Sequence, residues 1–164
     1  METTNTLNSA GGFAADGNQF LTFTLQNEEY AIDILRVQEI KGFSKITPIP
    51  NTPRYIRGVM NLRGTVVPIV DLRARFGMEE TEYNQFAVII VVNVGSKVVG
   101  LVVDTVSDVL NFNTSDVDEP PQLGAGVDTS FITGMAKVDE KLVMLLDIDK
   151  LVGTEDLAAM HPAA

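Results

Sequence analysis

The residue types that most often do chemistry in proteins are scarce in this chain. Its 164 residues include no cysteine and a single histidine, His161, which precedes Pro162 near the C-terminus. Activated nucleophiles usually need a histidine or cysteine, and zinc sites need several such ligands. We therefore expect His161 to be a tail residue rather than a base or a metal ligand.

Two short acidic clusters have side chains that suit a hard cation. They are Asp-Ile-Asp at residues 147–149 and Asp-Val-Asp-Glu at residues 116–119, and neither continues into a calcium loop, so no metal is predicted. The glycines within residues 124–126 lie in a long polar stretch, which argues against a phosphate-binding loop. Two distant carboxylates acting as acid and base stay open. The sequence favours a protein with no enzymatic activity and no cofactor.

Glu39 and Arg63 are the charged residues with the best placement for binding. Glu39 lies among apolar residues in a predicted strand, and Arg63 lies at a predicted hairpin tip. Because arginine suits bidentate pairing with a carboxylate, the two side chains are candidates to pair and shape a binding surface. The alternative is that each is an isolated surface charge.

The net charge of −10 is unevenly distributed. Residues 1–84 contain 8 basic and 10 acidic side chains, residues 85–164 contain 4 and 12, and all six arginines lie from Arg36 to Arg75. Such an acidic chain is a poor binder of nucleic acid or anionic lipid. Its arginines either face an acidic protein surface or solvate one face of a β-domain.

The sequence predicts a soluble cytoplasmic protein. The N-terminus has neither a basic start nor an apolar segment typical of a signal peptide. The longest apolar runs, such as residues 86–92, are too short to span a membrane. No direct membrane insertion is therefore expected.

Short apolar runs rich in valine and isoleucine, separated by turn residues, predict strands. In the first half we expect strands at residues 20–25, 28–32, 37–42, 57–62 and 65–71, and a helical turn at residues 72–76. Asn61 and Gly64 suit a type I turn closed by a left-handed glycine. Pro68 cannot donate to a ladder, which places its strand at an edge or at a bulge.

A second series of strands follows. They are predicted at residues 86–94, 97–103, 105–112, 131–139 and 141–148, with a loop at residues 113–130. Residues 86–92 are almost uniformly apolar, which indicates a strand covered on both faces. Thr154 is a candidate cap for a short last helix.

The two series resemble each other. An ungapped alignment places Gly58 on Gly134 and Asp71 on Asp147, and Val-Gln-Glu-Ile at residues 37–40 parallels Val-Ser-Asp-Val at residues 106–109. A repeat of roughly 70 residues indicates two small β-units. Units of that size have marginal cores, so we expect them to pack over a shared apolar interface near residues 86–92. Chance similarity between two hydrophobic hairpins is the alternative.

The chain resembles the CheW-type coupling proteins of bacterial chemotaxis. The specific stretches are Gly-Val-Met-Asn-Leu-Arg-Gly at residues 58–64 and Val-Pro-Ile-Val-Asp-Leu at residues 67–72, with weaker matches at residues 98–104 and 106–110. The resemblance covers residues 19–152. It implies an all-β fold of two SH3-like five-stranded β-barrels packed over a shared hydrophobic core, with short helices.

Composition, the internal repeat and the resemblance together predict a domain organisation. A disordered tail is expected at residues 1–18. The CheW-like domain then has its first barrel mainly at residues 19–84 and its second mainly at residues 85–152. A short helix and tail are expected at residues 153–164.

The family's function implies a non-enzymatic adaptor. It couples the cytoplasmic tip of methyl-accepting chemotaxis receptors to the regulatory domain of the histidine kinase CheA, and so lets receptors control kinase autophosphorylation. Carried over by position, the resemblance implies receptor-binding residues Val37, Glu39, Arg63 and Val106. It implies kinase-binding residues Ile56, Gly58 and Asn61. It also implies recruitment from the cytoplasm to membrane-associated receptor arrays.

Two rival functions stay open at this stage. One is a scaffold role on the same fold for a kinase pathway outside chemotaxis. The other, from a different class, is a small-molecule binder that works without a kinase partner.

Overall fold

The computed structural model describes residues 17–78, 86–113, 116–119, 130–138 and 140–152. These residues form short strands joined mostly by tight turns, with two single-turn helices. The strands are β1 (Gly17–Leu25), β2 (Glu28–Asp33), β3 (Val37–Gly42), β4 (Ile56–Leu62), β5 (Thr65–Asp71), β6 (Val88–Val94), β7 (Lys97–Val103), β8 (Thr105–Asn113), β9 (Val117–Asp118), β10 (Ile132–Val138) and β11 (Lys141–Leu146). The helices are α1 (Leu72–Arg75) and α2 (Ile148–Leu151).

The strands form two sheets, which confirms the predicted all-β class. One sheet has the order β3-β6-β7-β5-β4, and the other has the order β8-β1-β2-β11-β10-β9, in which β9 has only two residues. Neighbouring strands are antiparallel except for one parallel pair in each sheet, β5 with β7 and β11 with β2. The two sheets therefore share one topology.

Each sheet combines strands from both sequence repeats. The five-stranded sheet contains β3–β5 from the first repeat and the hairpin β6–β7 from the second. The six-stranded sheet contains the hairpin β1–β2 from the first repeat and β8–β11 from the second. The sheets thus do not follow the predicted boundary between residues 84 and 85. We call residues 37–104 the five-stranded unit, and residues 17–36 with 105–152 the six-stranded unit.

The predicted tails fall largely outside the described residues. Residues 1–16 and the helix expected after Thr154 lie outside them, whereas Gly17 and Asn18 belong to β1. A short helix instead begins directly after Asp147, whose carboxylate accepts hydrogen bonds from the amides of Asp149 and Lys150. Asp71 caps α1 in the same way.

The largest apolar cluster lies between the two sheets. It joins Phe23 and Ile32 of the six-stranded unit to Ile90 and Leu101 of the five-stranded unit, and all four are fully buried. Each sheet also encloses a smaller cluster of its own. β6 serves two clusters because its side chains alternate between the shared core and the core of its own sheet. The predicted burial on both faces is confirmed for β6, whereas Phe86, which the prediction included, precedes the strand and is 63% exposed.

The backbone irregularities repeat between the units. The pairing of β3 shifts between Val37 and Glu39, and the pairing of β8 places Val106 and Asp108 opposite consecutive residues of β1. The shift in β4 ends at Gly58, and the shift in β10 ends at Gly134. These β-bulges lie at the positions aligned from sequence, so the internal repeat is structural and not a chance similarity.

Two local predictions in the β4–β5 hairpin need correction. Arg63 and Gly64 have φ angles of 49° and 86°, so the two-residue turn has the left-handed pattern of type I′ and not of type I. β5 is an interior strand rather than an edge strand. Pro68 is tolerated there because the pairing with β7 begins only at Ile69.

Candidate functional site

Glu39 and Arg63 form an ion pair across the open edges of the five-stranded sheet. β3 and β4 are its two edge strands, and Arg63 follows β4 directly. Arg63 Nη1 donates to Glu39 Oε1 at 3.3 Å, and Nη2 contacts Oε2. The predicted pairing is confirmed. Together with a backbone bridge between Thr47 and Val59, it brings the two edges of the sheet toward each other.

The electrostatics of the pair follow from this contact. The hydrogen bond from Arg63 lowers the pKa of Glu39, and the same contact raises the pKa of Arg63. The Arg63 side chain is 66% exposed, so solvent screens the attraction and the pair adds little stability. Its consequence is orientation, because it holds a guanidinium at a fixed place on the surface.

Val37 and Val106 lie at equivalent positions in the two units. Each is half-buried against the shared core, and each immediately precedes the bulge of its edge strand. Glu39 lies beyond the bulge opposite Val91, which belongs to the five-stranded unit's own core. The four predicted receptor-binding residues thus divide into two apolar residues beside the shared core and one ion pair beside the five-stranded core.

The three predicted kinase-binding residues differ in exposure. Ile56 is 5% exposed and belongs to the shared core, so its side chain positions β4 rather than forming surface. Gly58 is also buried, whereas Asn61 is exposed and its Oδ1 accepts a hydrogen bond from the Gly64 amide at 2.8 Å. Opposite Asn61 lies Val66, which is 66% exposed. Sequence reasoning missed Val66, although an extra apolar residue beside Val67 breaks the alternation of the strand.

Gly58 is required by the chain's own backbone. Its φ is +144°, and an added Cβ would overlap the Thr47 carbonyl oxygen and lie 2.7 Å from the Thr47 carbonyl carbon and 2.9 Å from Pro48 Cα. The close backbone approach that requires a glycine here is therefore internal to the fold. A substitution here would disturb the packing of β4 against Thr47 and Pro48, so it would affect the fold as well as any contact with a partner.

A buried ion pair that the sequence analysis missed lies where the five-stranded unit meets the six-stranded unit. Arg73 of α1 donates through Nε and Nη2 to Asp104 at 2.8 and 2.7 Å, with side chains 10% and 11% exposed. Asp104 also accepts from the amide of Gln26 at 2.9 Å, in the turn between β1 and β2. Since Asp104 lies where the chain passes from β7 to β8, the pair fixes one crossing between the sheets.

Arg75 forms a second link between the units. Its Nε donates to the Leu151 carbonyl at 2.9 Å, and its guanidinium lies 5.2 Å from the Tyr55 ring centroid and 5.3 Å from that of Phe131. Phe131 also stacks on Phe76 with centroids 5.0 Å apart. Helix α1 is thus held against the end of α2, which resists rotation of one unit on the other.

Metal-binding clusters and membrane-spanning helices are both absent from the described residues. Within them, no three histidine, aspartate or glutamate side chains are grouped closely enough to hold a metal ion. No helix in the described part of the chain is long and apolar enough to cross a membrane. Two β-units with a shared core and an exposed ion pair at a sheet edge have the features of a binding module.

Comparison with known proteins gives this module a family. CheW-like domains match residues 19–156. The chemotaxis protein CheW of Klebsiella aerogenes is 46% identical over 148 residues, which are 90% of this chain and 89% of that protein. The CheW of Rhizobium meliloti is 37% identical over 152 residues, which are 93% and 98% of the two chains.

A solved structure agrees with these sequences. The scaffolding protein TtCheW of Thermoanaerobacter tengcongensis superposes with a TM-score of 0.75 at 34% identity, covering 82% of this chain and 91% of that one. These relatives are named as chemotaxis proteins and as a scaffolding protein. The chain belongs to the CheW-like domain family, and the resemblance found in its motifs is confirmed.

Proposed function

We propose that this protein is a non-enzymatic adaptor that couples methyl-accepting chemotaxis receptors to the histidine kinase CheA. Family membership along residues 19–156 is the observation that carries the proposal, because the match includes both units and the crossings between them. In this proposal the protein is cytoplasmic and is recruited to receptor arrays at the membrane. In this proposal the protein controls kinase autophosphorylation by holding the kinase beside the receptor, and it catalyses no reaction itself.

The receptor surface in this proposal centres on the Glu39–Arg63 ion pair. The pair supports the assignment because it fixes two charges at an exposed sheet edge. A receptor tip can form hydrogen bonds with these charged groups. Val37 and Val106 extend the surface toward the shared core. Their partial exposure suits apolar contacts that become buried when a partner binds.

The kinase surface in this proposal is the outer side of the β4–β5 hairpin. Asn61 and Val66 supply the exposed polar and apolar side chains. Ile56 and Gly58 support this surface from buried positions. Ile56 anchors β4 in the shared core, and Gly58 lets β4 approach Thr47. Asp104, which is paired with Arg73, also accepts a hydrogen bond from the Gln26 amide, and this contact supports a firm junction between the two units. A rigid adaptor holds receptor and kinase in register and raises their effective concentration.

Kinase autophosphorylation tests this proposal. CheA is assayed with receptor-containing membranes, with and without the protein, and again after attractant is added. Coupling predicts strong activation that requires the protein and falls with attractant. No effect from a folded protein with a competent kinase would mean that the family fold serves another partner, such as a kinase outside chemotaxis.

A further inference from the structure

The net charge of each structural unit differs from that of the corresponding half of the sequence. The described residues of the five-stranded unit include eight basic and three acidic side chains, for a net charge of +5. Those of the six-stranded unit include four basic and ten acidic side chains, for a net charge of −6. Three further glutamates within residues 79–85 lie outside the described part and are not counted. The described parts of the two units therefore carry opposite charge.

The positive charge is concentrated in one continuous stretch of chain. Residues 41–70 contain five basic residues and no acidic residue, in a protein whose net charge is −10. Lys41 ends the β3 edge, and Lys45 lies in the connection that follows it. Arg57 and Arg63 lie in and just after β4.

Contacts place these residues along one strip of surface. The Arg57 guanidinium lies 5.9 Å from the Phe43 ring centroid, Ser44 donates to the sulfur of Met60 at 3.3 Å, and Thr47 bridges to β4. The connection after β3 therefore runs beside β4 and brings Lys45 near Arg57. We call Lys41, Phe43, Lys45 and Arg57 the basic strip.

The composition of the basic strip is that of a binding surface. Phe43 is 43% exposed, and Lys45 and Arg57 are exposed. Arg57 also pairs with Asp71 at 3.2 Å, whereas Lys41 and Lys45 form no ion pair with the described residues. Aromatic and arginine side chains are enriched at interfaces, and lysines that are not held in ion pairs attract acidic side chains of a partner.

We propose that the basic strip docks an acidic protein surface of the kinase partner. The inference rests on the proposed function, because Arg57 of the strip lies in β4 directly before Gly58. A protein surface fits better than a lipid or nucleic acid surface, because the six-stranded unit would be repelled by an extended negative plane. A discrete acidic patch can face the strip alone and also disfavour binding in the reverse orientation.

Paired charge reversals test the proposal. Lys41→Glu/Lys45→Glu is compared with Lys137→Glu/Lys141→Glu, which changes net charge equally at exposed positions of the six-stranded unit. Affinity for full-length CheA is measured at low and high ionic strength. The strip variant should bind about tenfold more weakly at low salt and approach wild type at high salt. The control variant should lose little affinity.

The outcomes separate this inference from the proposed function. If wild type binds CheA and both double variants bind equally well, the strip has no docking role and the adaptor function stands. If wild type does not bind CheA, the adaptor function fails. An NMR titration with a glutamate-rich peptide then tests the strip directly, and shifts confined to it support acidic recognition, whereas absent or scattered shifts overturn it. Strip-dependent binding to phosphatidylserine vesicles, without an effect on CheA, would also overturn the proposal.

Discussion

The five-stranded and six-stranded units have matching backbones and contrasting charged contacts. Both have a bulge in the edge strand that follows a crossing, a glycine at the next bulge and an aspartate that caps a short helix. Their edges differ, because Glu39 of β3 pairs with Arg63 whereas the aligned residue of β8 is Asp108. The backbone features belong to the shared fold, and the charged contacts differ between the two units.

An ion pair lies at each of the two places where the chain crosses between the sheets, and the two pairs can be compared in charge and exposure. Arg73 of α1 pairs with Asp104 between β7 and β8, and Asp149 of α2 pairs with Arg36 between β2 and β3. The charges are reversed, since the helix supplies the basic residue of the pair in one unit and the acidic residue in the other. Burial differs too, because the second pair is 30% and 56% exposed rather than 10% and 11%. One crossing is locked in the interior, and the other is held at the surface.

The first expected difference between the units concerns their equivalent glycines. Gly58→Ala should destabilise the protein by about 3 kcal/mol or more, because left-handed backbone strain adds to a clash with backbone atoms of Thr47 and Pro48. Gly134→Ala should cost about 1–2 kcal/mol, because its closest clash is with the movable side chain of Val117. Urea unfolding of both variants measures the two costs.

Equal costs at the two glycines would contradict this asymmetry. The result also governs how Gly58→Asp is interpreted in a kinase-binding assay. Loss of binding by that variant identifies a contact only if the folded fraction is unchanged. Asn61→Ala and Val66→Ala are cleaner probes of the same surface, because both side chains are exposed.

The second difference concerns the two ion pairs at the crossings. Arg73→Ala should cost about 3–5 kcal/mol, because it leaves the Asp104 carboxylate buried without its counter-charge. Arg36→Ala removes an exposed contact to Asp149 and should cost about 0–1 kcal/mol. Thermal and urea unfolding compare the two variants, and a cost for Arg36→Ala as large as that for Arg73→Ala would refute the assignment of one buried and one surface crossing.

The sequence predicted the local structure well because periodicity and turn residues act over a few positions. The hairpins follow from such patterns and are confirmed. The Glu39–Arg63 pair is also confirmed, and it was found because each residue stood out by its place, one in a predicted strand and one at a predicted hairpin tip. The exchange of strands between repeats was not predicted, because contiguous and exchanged pairings bury the same side chains. Arg73 and Asp104 were missed for a related reason, since 31 residues separate them and only the crossing brings them together.

A third prediction concerns the edge where the units differ in charge. Arg63→Glu should change stability little, because the side chain is exposed at a turn. If Arg63 contacts the receptor, receptor-dependent activation of CheA should fall markedly. Lys141→Glu, at an exposed position in the other unit, serves as the control and should leave activation near wild type.

Exchanging the two charges distinguishes the pair from the individual residues. Glu39→Arg/Arg63→Glu should recover the stability of the pair but not receptor coupling, because the exposed charge that a receptor meets is then reversed. Full recovery of coupling would show that the receptor surface depends on the geometry of the pair alone. Normal receptor binding by Arg63→Glu itself would remove this residue from the site.

The smallest expected effect is the titration of Glu39. Its pKa in the folded protein is lowered, chiefly by the hydrogen bond from Arg63, relative to the unfolded chain. The stabilisation from the pair is therefore present above the unfolded pKa and is lost as the pH falls through the folded pKa. NMR titration of the Glu39 carboxyl carbon should show that Arg63→Gln raises this pKa toward its ordinary value of 4.5. Arg36→Gln, in the other unit, should leave it unchanged, and an equal rise in both variants would mean that general charge rather than this contact sets the shift.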